Sequence, residues 1–107
     1  MDLLEWLQNW YHQHCDGGWE HSYGIRLTSL DNPGWGVTIN LEDTNLEFAT
    51  FDDLIINRSE IDWVDCKVQK KVFRAYGGPN NLKEIIEIFR RWAMSQHGPG
   101  NSLPVCK

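Results

Sequence analysis

Apolar residues recur at helical spacing near both ends of the chain. Residues 2–15 predict a first amphipathic helix, with Asp2 well placed at its start and Asp16-Gly17-Gly18 at its end. A second helix is predicted after Asn81, a suitable N-cap, and Glu84 completes a capping-box pattern. The apolar faces contain Leu3, Leu4, Leu7, Trp10, Tyr11 and His14 in the first helix, and Leu82, Ile85, Ile86, Ile88, Phe89, Trp92 and Ala93 in the second.

Between the helices, apolar and polar residues alternate with the period of two that is typical of half-buried strands. Five such segments occur, around residues 23–28, 35–42, 53–58, 63–68 and 72–76. Short turns at residues 31–34 and 70–71 favour antiparallel pairing. The pattern predicts an α+β fold, an antiparallel sheet of about five strands with an N-terminal and a C-terminal helix packed on one face. Residues 1–96 are predicted to form a single domain, and residues 97–107 a flexible C-terminal tail.

Size and composition narrow the classes of protein that fit. A chain of 107 residues suits one domain. Its start carries acids where a signal peptide carries Lys or Arg, and no apolar run approaches the ~20 residues that span a bilayer. We therefore predict a cytoplasmic protein with no membrane partner. The three cysteines form no C-x-x-C, which argues against a zinc ribbon or a disulfide framework, and Cys66 is predicted to be buried between Val64 and Val68.

Charge is divided unevenly along the chain. Residues 1–65 carry thirteen acids and two bases, giving −11, and residues 66–107 carry eight bases and two acids, giving +6, for a net charge of −5. Eight acids lie close together in the sequence: Glu42, Asp43, Glu47, Asp52, Asp53, Glu60, Asp62 and Asp65. Trp63 interrupts this run, and alternation turns it away from Val64 and Cys66. The stretch is either a protein-binding hot spot for a basic partner or an ordinary solvated surface.

The candidates for chemistry are weaker. Cys15, Asp16, Glu20 and His21 are all metal-ligand types, and a small metal-binding or hydrolytic protein that uses them is the alternative hypothesis. Their spacing fits no known ligand pattern, so we predict no metal, no cofactor, no catalytic residue and no enzymatic activity. A third hypothesis is a nucleic-acid binder that acts through the basic end of the chain, which contains Lys67, Lys70, Lys71, Arg74, Arg90 and Arg91. We do not predict nucleic acid as a partner, because the acidic first 65 residues would repel a phosphate backbone.

Several motifs together resemble the immunity protein 53 family of bacterial polymorphic toxin systems. They are Leu4-x-Trp6-Leu7-x-x-Trp10-Tyr11, Cys15-Asp16-x-x-Trp19-Glu20-His21-x-Tyr23-Gly24, Leu30-Asp31-Asn32-Pro33-Gly34-Trp35, Asp62-Trp63-x-x-Cys66-x-Val68 and Tyr76-Gly77-Gly78-Pro79-Asn80-Asn81-Leu82. The resemblance spans about residues 3–93. It implies a protein that protects the producing cell by binding the catalytic domain of a cognate toxin.

The resemblance assigns no contacts to individual residues. Many toxin domains act on nucleic acid and are basic at their active sites, so an acidic surface would mimic the substrate and speed association. On this basis the predicted partner-binding residues are Glu42, Asp43, Asp52, Asp53, Asp62 and Trp63, with Trp19 and Glu20 added as a pair typical of the family. The oligomeric state is left open.

Overall fold

The computed structural model describes residues 2–96, and the tail predicted for residues 97–107 lies outside the described residues. The elements, in chain order, are α1 (Leu3–His14), α2 (Trp19–Ser22), β1 (Ile25–Leu30), β2 (Gly34–Asn40), β3 (Leu54–Asn57), β4 (Trp63–Gln69), β5 (Val72–Gly77) and α3 (Leu82–Ser95). The carboxylate of Asp2 caps α1 by accepting a hydrogen bond from the backbone N–H of Glu5 at 2.8 Å.

The five strands form one antiparallel sheet in the order β1-β2-β5-β4-β3. The hairpins β1–β2, β3–β4 and β4–β5 are local. The pairing of β2 with β5 is not, since it places Trp35 opposite Gly77 and Asn40 opposite Val72. At the turn between β4 and β5, Lys70 and Lys71 have φ of 55° and 63°, the conformation that a tight hairpin turn requires.

The hydrophobic core lies between one face of the sheet and the two long helices. Phe73 in β5 lies 5.1 Å from Phe89 in α3, measured between ring centroids, and Trp10 in α1 lies 5.1 Å from the same Phe89. The buried side chains of the sheet and of both helices belong to a single cluster. The predicted fold class is therefore confirmed, and so is the burial of Cys66, which is fully inaccessible.

The structure departs from the sequence prediction in three places. Leu4 and Tyr11, predicted on the apolar face of α1, are exposed. The short helix α2 was not predicted, because four residues give no readable periodicity. Asn81 does precede α3, but its side chain makes no cap on the helix backbone. Its amide instead donates to the carboxylates of Asp62 at 3.0 Å and Glu84 at 2.9 Å. The predicted capping box is therefore wrong, because the Asn81 side chain bonds to these two side chains and not to the helix backbone. The buried side chain joins α3 to the start of β4 rather than closing the helix end.

Candidate partner-binding surfaces

The loop from Cys15 to Gly18 is held by two carboxylates that bind backbone N–H groups. Glu20 accepts from the N–H of Asp16 at 2.9 Å and of Gly17 at 2.8 Å, while Asp16 accepts from the N–H of Gly18 at 2.9 Å and of Trp19 at 3.0 Å. Hydrogen bonds from its own backbone N–H and from those of Gly17 and Asp16 lower the pKa of the Glu20 carboxyl. These carboxylates therefore fix the turn that leads into α2.

This loop positions Trp19 in the core. The indole is 2% exposed and lies between 5.8 and 5.9 Å from the rings of Trp10, Tyr11 and His14. The partner contact predicted for Trp19 would require a change of conformation, because so little of the side chain reaches the surface. Glu20 is half-buried, and its two carboxylate oxygens are already hydrogen-bonded to the loop.

The cluster proposed for metal chemistry has a structural role instead. Asp16 and Glu20 hold the turn, and the Cys15 Sγ donates to the carbonyl oxygen of Tyr11 at 3.3 Å. Within residues 2–96, no group of three or more His, Cys, Asp or Glu side chains is arranged to hold a metal ion. Packing also explains why glycine occupies position 78 in the Gly77-Gly78 segment. A Cβ on Gly78 would lie 2.2 Å from the carbonyl oxygen of Ile61.

One end of the sheet gathers most of the predicted acidic contacts. We call this the acidic end and define it as Glu42, Asp43, Glu47, Asp52 and Asp53. The first three follow β2 and the last two precede β3, and both segments lie at the end of the sheet where β4 turns into β5. Together with Lys70 and Lys71 in that turn, these five acids give this end of the sheet a net charge of −3.

Lys71 lies in contact with the acidic end through Glu47. Its ammonium binds the Glu47 carboxylate at 3.0 Å and lies 4.9 Å from the centre of the Phe48 ring. The hydrogen bond that Lys71 donates to the Glu47 carboxylate raises the pKa of Lys71, and the negative charges of Glu47, Glu42 and Asp43 add to the effect. Asp52 and Asp53 are exposed and make no described side-chain hydrogen bond or ion pair, so both are available to a partner.

Asp62 lies at the opposite end of the sheet, in a network with Arg58, Asn81 and Glu84. The Arg58 guanidinium donates to both Asp62 oxygens at 3.1 Å and also pairs with Glu84. These hydrogen bonds, first from Arg58 and then from Asn81, lower the pKa of the Asp62 carboxyl. The β3–β4 hairpin separates Asp62 from Asp53 by about five residues along β4, roughly 17 Å. The acidic run in the sequence is thus divided between two ends of the molecule.

Trp63 lies on the face of the sheet that faces away from the helices, which we call the open face. It is half-buried, and it does not belong to the core cluster. The register places Tyr76, Asp65 and Ile55 side by side across β5, β4 and β3 on the same face. Ile55 is 69% exposed, so the open face includes apolar surface next to its charges.

A row of cations crosses the open face and was missed by the sequence analysis. Arg26 stands opposite Thr38, Thr38 opposite Arg74, and Arg74 opposite Lys67, across β1, β2, β5 and β4. We call Arg26, Arg74 and Lys67 the basic row. Within residues 2–96 none of the three makes an ion pair. Alternation shows which face each residue occupies, but only the pairing of β2 with β5 brings these residues together.

A shallow cleft of about 380 Å³ lies between β3 and α3. Leu54, Ile56 and Ile88 form its apolar part, and Lys83, Glu84, Glu87 and Arg91 are among its charged residues. The mixed charges give no arrangement for acid–base or nucleophilic chemistry. In the described part of the chain, no helix is long and apolar enough to cross a bilayer.

Comparison with known proteins gives one match. The model of the immunity protein 53 family matches residues 4–94, which include both long helices almost entirely and all five strands. No curated protein and no solved structure matches the chain significantly. Because the matched segment covers most of the 107 residues and the whole sheet, the chain belongs to the immunity protein 53 family.

Proposed function

We propose that this protein is a cytoplasmic immunity protein of a bacterial polymorphic toxin system that neutralises a cognate toxin domain by stoichiometric binding. The observation that carries the proposal is the family match over residues 4–94, since an immunity protein family implies a protein partner. Inhibition by binding requires no catalytic residues of its own. The protein is therefore not an enzyme in this proposal.

The acidic end is the proposed site of first contact with the toxin. Asp52 and Asp53 are exposed and free of described partners, and Glu42 and Asp43 lie nearby at the same end of the sheet. Surface charges of one sign attract an oppositely charged partner over about a Debye length and raise the association rate. A basic substrate-binding surface on the toxin would be the complementary target.

The proposal is tested with the C-terminal domain of the protein encoded by the adjacent gene, made catalytically inactive and purified. The wild-type chain should bind it one to one and abolish the activity of the active form. Reversing two charges of the acidic end, in Asp52→Lys with Asp53→Lys, should lower the association rate constant about tenfold at low salt and less at high salt.

A matched control separates this surface from net charge. Asp31→Lys with Glu60→Lys makes the same charge change at exposed positions at the other end of the sheet. If both double variants associate equally fast, the acidic end has no special role in recognition. If the wild-type chain neither binds nor inhibits the domain, the proposed function itself is wrong.

A further inference from the structure

The basic row is unusual because it places like charges next to each other. Arg74 and Lys67 are directly opposite on antiparallel strands, where Cβ atoms are about 4.5–5.5 Å apart and like charges are destabilising. Arg26 joins them across Thr38. Asp65 lies one row away and opposite Tyr76 rather than a cation. Asp53 directly precedes the pair Leu54–Cys66, so it comes level with Lys67 at the end of the row, but it makes no described ion pair with it. The fold thus brings together three cations, none of which makes an ion pair within residues 2–96.

The position of the row relates it to the predicted contacts. Trp63 is at one end of β4 and the acidic end is near the other, and the seven residues of β4 span about 20 Å. Any single partner that touches both must cover the part of the open face that lies between them. That part includes Lys67 and Arg74 of the basic row together with Asp65 and Tyr76, and Arg26 lies two strands beyond Arg74, on β1.

We infer that the open face is a second docking surface for the toxin domain, and that the toxin presents carboxylates to Arg26, Arg74 and Lys67. The inference rests on the proposed function for the identity of the partner. Arginine beside aromatic and exposed apolar side chains is the composition found at the centre of protein interfaces. Here Arg74 lies beside Tyr76 on β5, and the exposed Ile55 lies on the same face two strands away, on β3. Unpaired cations supply the charge complementarity.

The surroundings of the row favour a protein over a nucleic acid. Asp65 lies on the same face, and the acidic end, with its net charge of −3, lies at its border. A continuous chain of phosphates would meet this repulsion wherever it left the row. A protein surface can place acids against the row and bases against the acidic end. The inferred toxin surface therefore has an acidic region that faces the basic row and, next to it, a basic region that faces the acidic end.

The size of the face agrees with an interface that includes the acidic end. Five strands have four spacings of about 4.8 Å, so the face is about 19 Å wide and, at ~20 Å long, has a footprint on the order of 400 Å². A standard interface takes about 800 Å² from each partner. A stable complex therefore needs the open face together with a neighbouring surface.

The test compares two double variants that each remove two positive charges. Arg26→Ala with Arg74→Ala alters the basic row, and Arg90→Ala with Arg91→Ala alters the solvent side of α3. Binding to the inactive toxin domain is measured by calorimetry. We expect the first pair to raise Kd at least tenfold and the second less than threefold, since losing a charge-assisted hydrogen bond typically weakens binding about tenfold or more.

A measurement on the wild-type chain guards against loss of folding in the variants. Acetylation of lysines with an N-hydroxysuccinimide ester should be suppressed at Lys67 in the complex and unchanged at Lys83, which is exposed on α3. Equal Kd for the two pairs, or an unprotected Lys67, overturns the inference while leaving the proposed function intact. Tighter binding of a single-stranded oligonucleotide than of the toxin domain, lost in Arg26→Ala with Arg74→Ala, overturns it in favour of nucleic acid. Absence of wild-type binding to the toxin domain refutes both proposals.

Discussion

Replacing Trp19 distinguishes a residue that holds the fold from one that contacts the partner. The indole is 2% exposed and packs against three aromatic rings. A tryptophan buries about 150–250 Å², which at ~25 cal/mol per Å² corresponds to about 4–6 kcal/mol. An alanine retains a small part of this, so Trp19→Ala should destabilise the domain by about 3–5 kcal/mol. That is a large part of the ~5–15 kcal/mol that stabilises a typical domain.

The phenylalanine variant sharpens this prediction. Among the described residues, the indole N–H groups of Trp19 and Trp10 are buried without a hydrogen-bond partner. Trp19→Phe removes one such donor, whose burial costs about 1–3 kcal/mol, while it keeps a ring in the same space. Its loss of stability should therefore be less than half that of Trp19→Ala.

Urea denaturation followed by far-ultraviolet circular dichroism measures both variants. With a slope of about 2 kcal/mol per molar urea, a loss of 4 kcal/mol moves the midpoint by about 2 M. A Trp19→Ala midpoint within 0.5 M of wild type, roughly 1 kcal/mol at this slope, would refute the packing argument. A normal midpoint with weakened toxin binding would instead support the contact role that the sequence suggested.

Two further predictions follow from shifted pKa values. Because Arg58 lowers the pKa of the Asp62 carboxyl, the stability this pair contributes is present above the unfolded-state pKa and is lost as pH falls through the lower folded-state value. The difference in melting temperature between wild type and Asp62→Asn should thus be largest near pH 7 and vanish in strong acid; a difference that grows in acid would contradict this. Burial raises the pKa of the Cys66 thiol to about 12, so in a Cys106→Ser background a disulfide reagent at pH 8 should label the partly exposed Cys15 and reach Cys66 only after unfolding. Rapid labelling of both thiols in the native protein would show that β4 opens locally.

Local patterns in the sequence predict much of the fold. Alternation of apolar and polar residues located all five strands, because the central strands bury one face in the core. The edge strand β1 shows the same alternation although none of its residues is buried and Leu27 is 44% exposed. Helical spacing likewise placed α1 and α3 within a few residues of their bounds. Alternation does not predict which strands pair with each other. The pairing of β2 with β5 joins strands that are far apart in the sequence.

The candidate site was less predictable for the same reason. Closeness in sequence suggested one acidic surface, but the β3–β4 hairpin carries Asp62 to the opposite end from Asp52 and Asp53. Distance in sequence concealed the basic row, since Arg26 and Arg74 become neighbours only through Thr38. Asn81 was identified as the residue before α3, yet its bonds to Asp62 depend on tertiary packing that no local motif encodes.

The long-range pairing of β2 with β5 also bears on how quickly the chain can find its fold. In the unfolded chain the pair Asn40–Val72 closes a loop of 32 residues, and the length-dependent part of the closure entropy costs about 3 kcal/mol, against about 0.6 kcal/mol for the two-residue turn at Lys70-Lys71. We expect the hairpins to form first and the pairing of β2 with β5 to form last. Before β2 and β5 pair, the β1–β2 hairpin exposes an edge of β2, and β3–β4–β5 exposes an edge of β5. During this interval the folding chain is most susceptible to pairing with another copy.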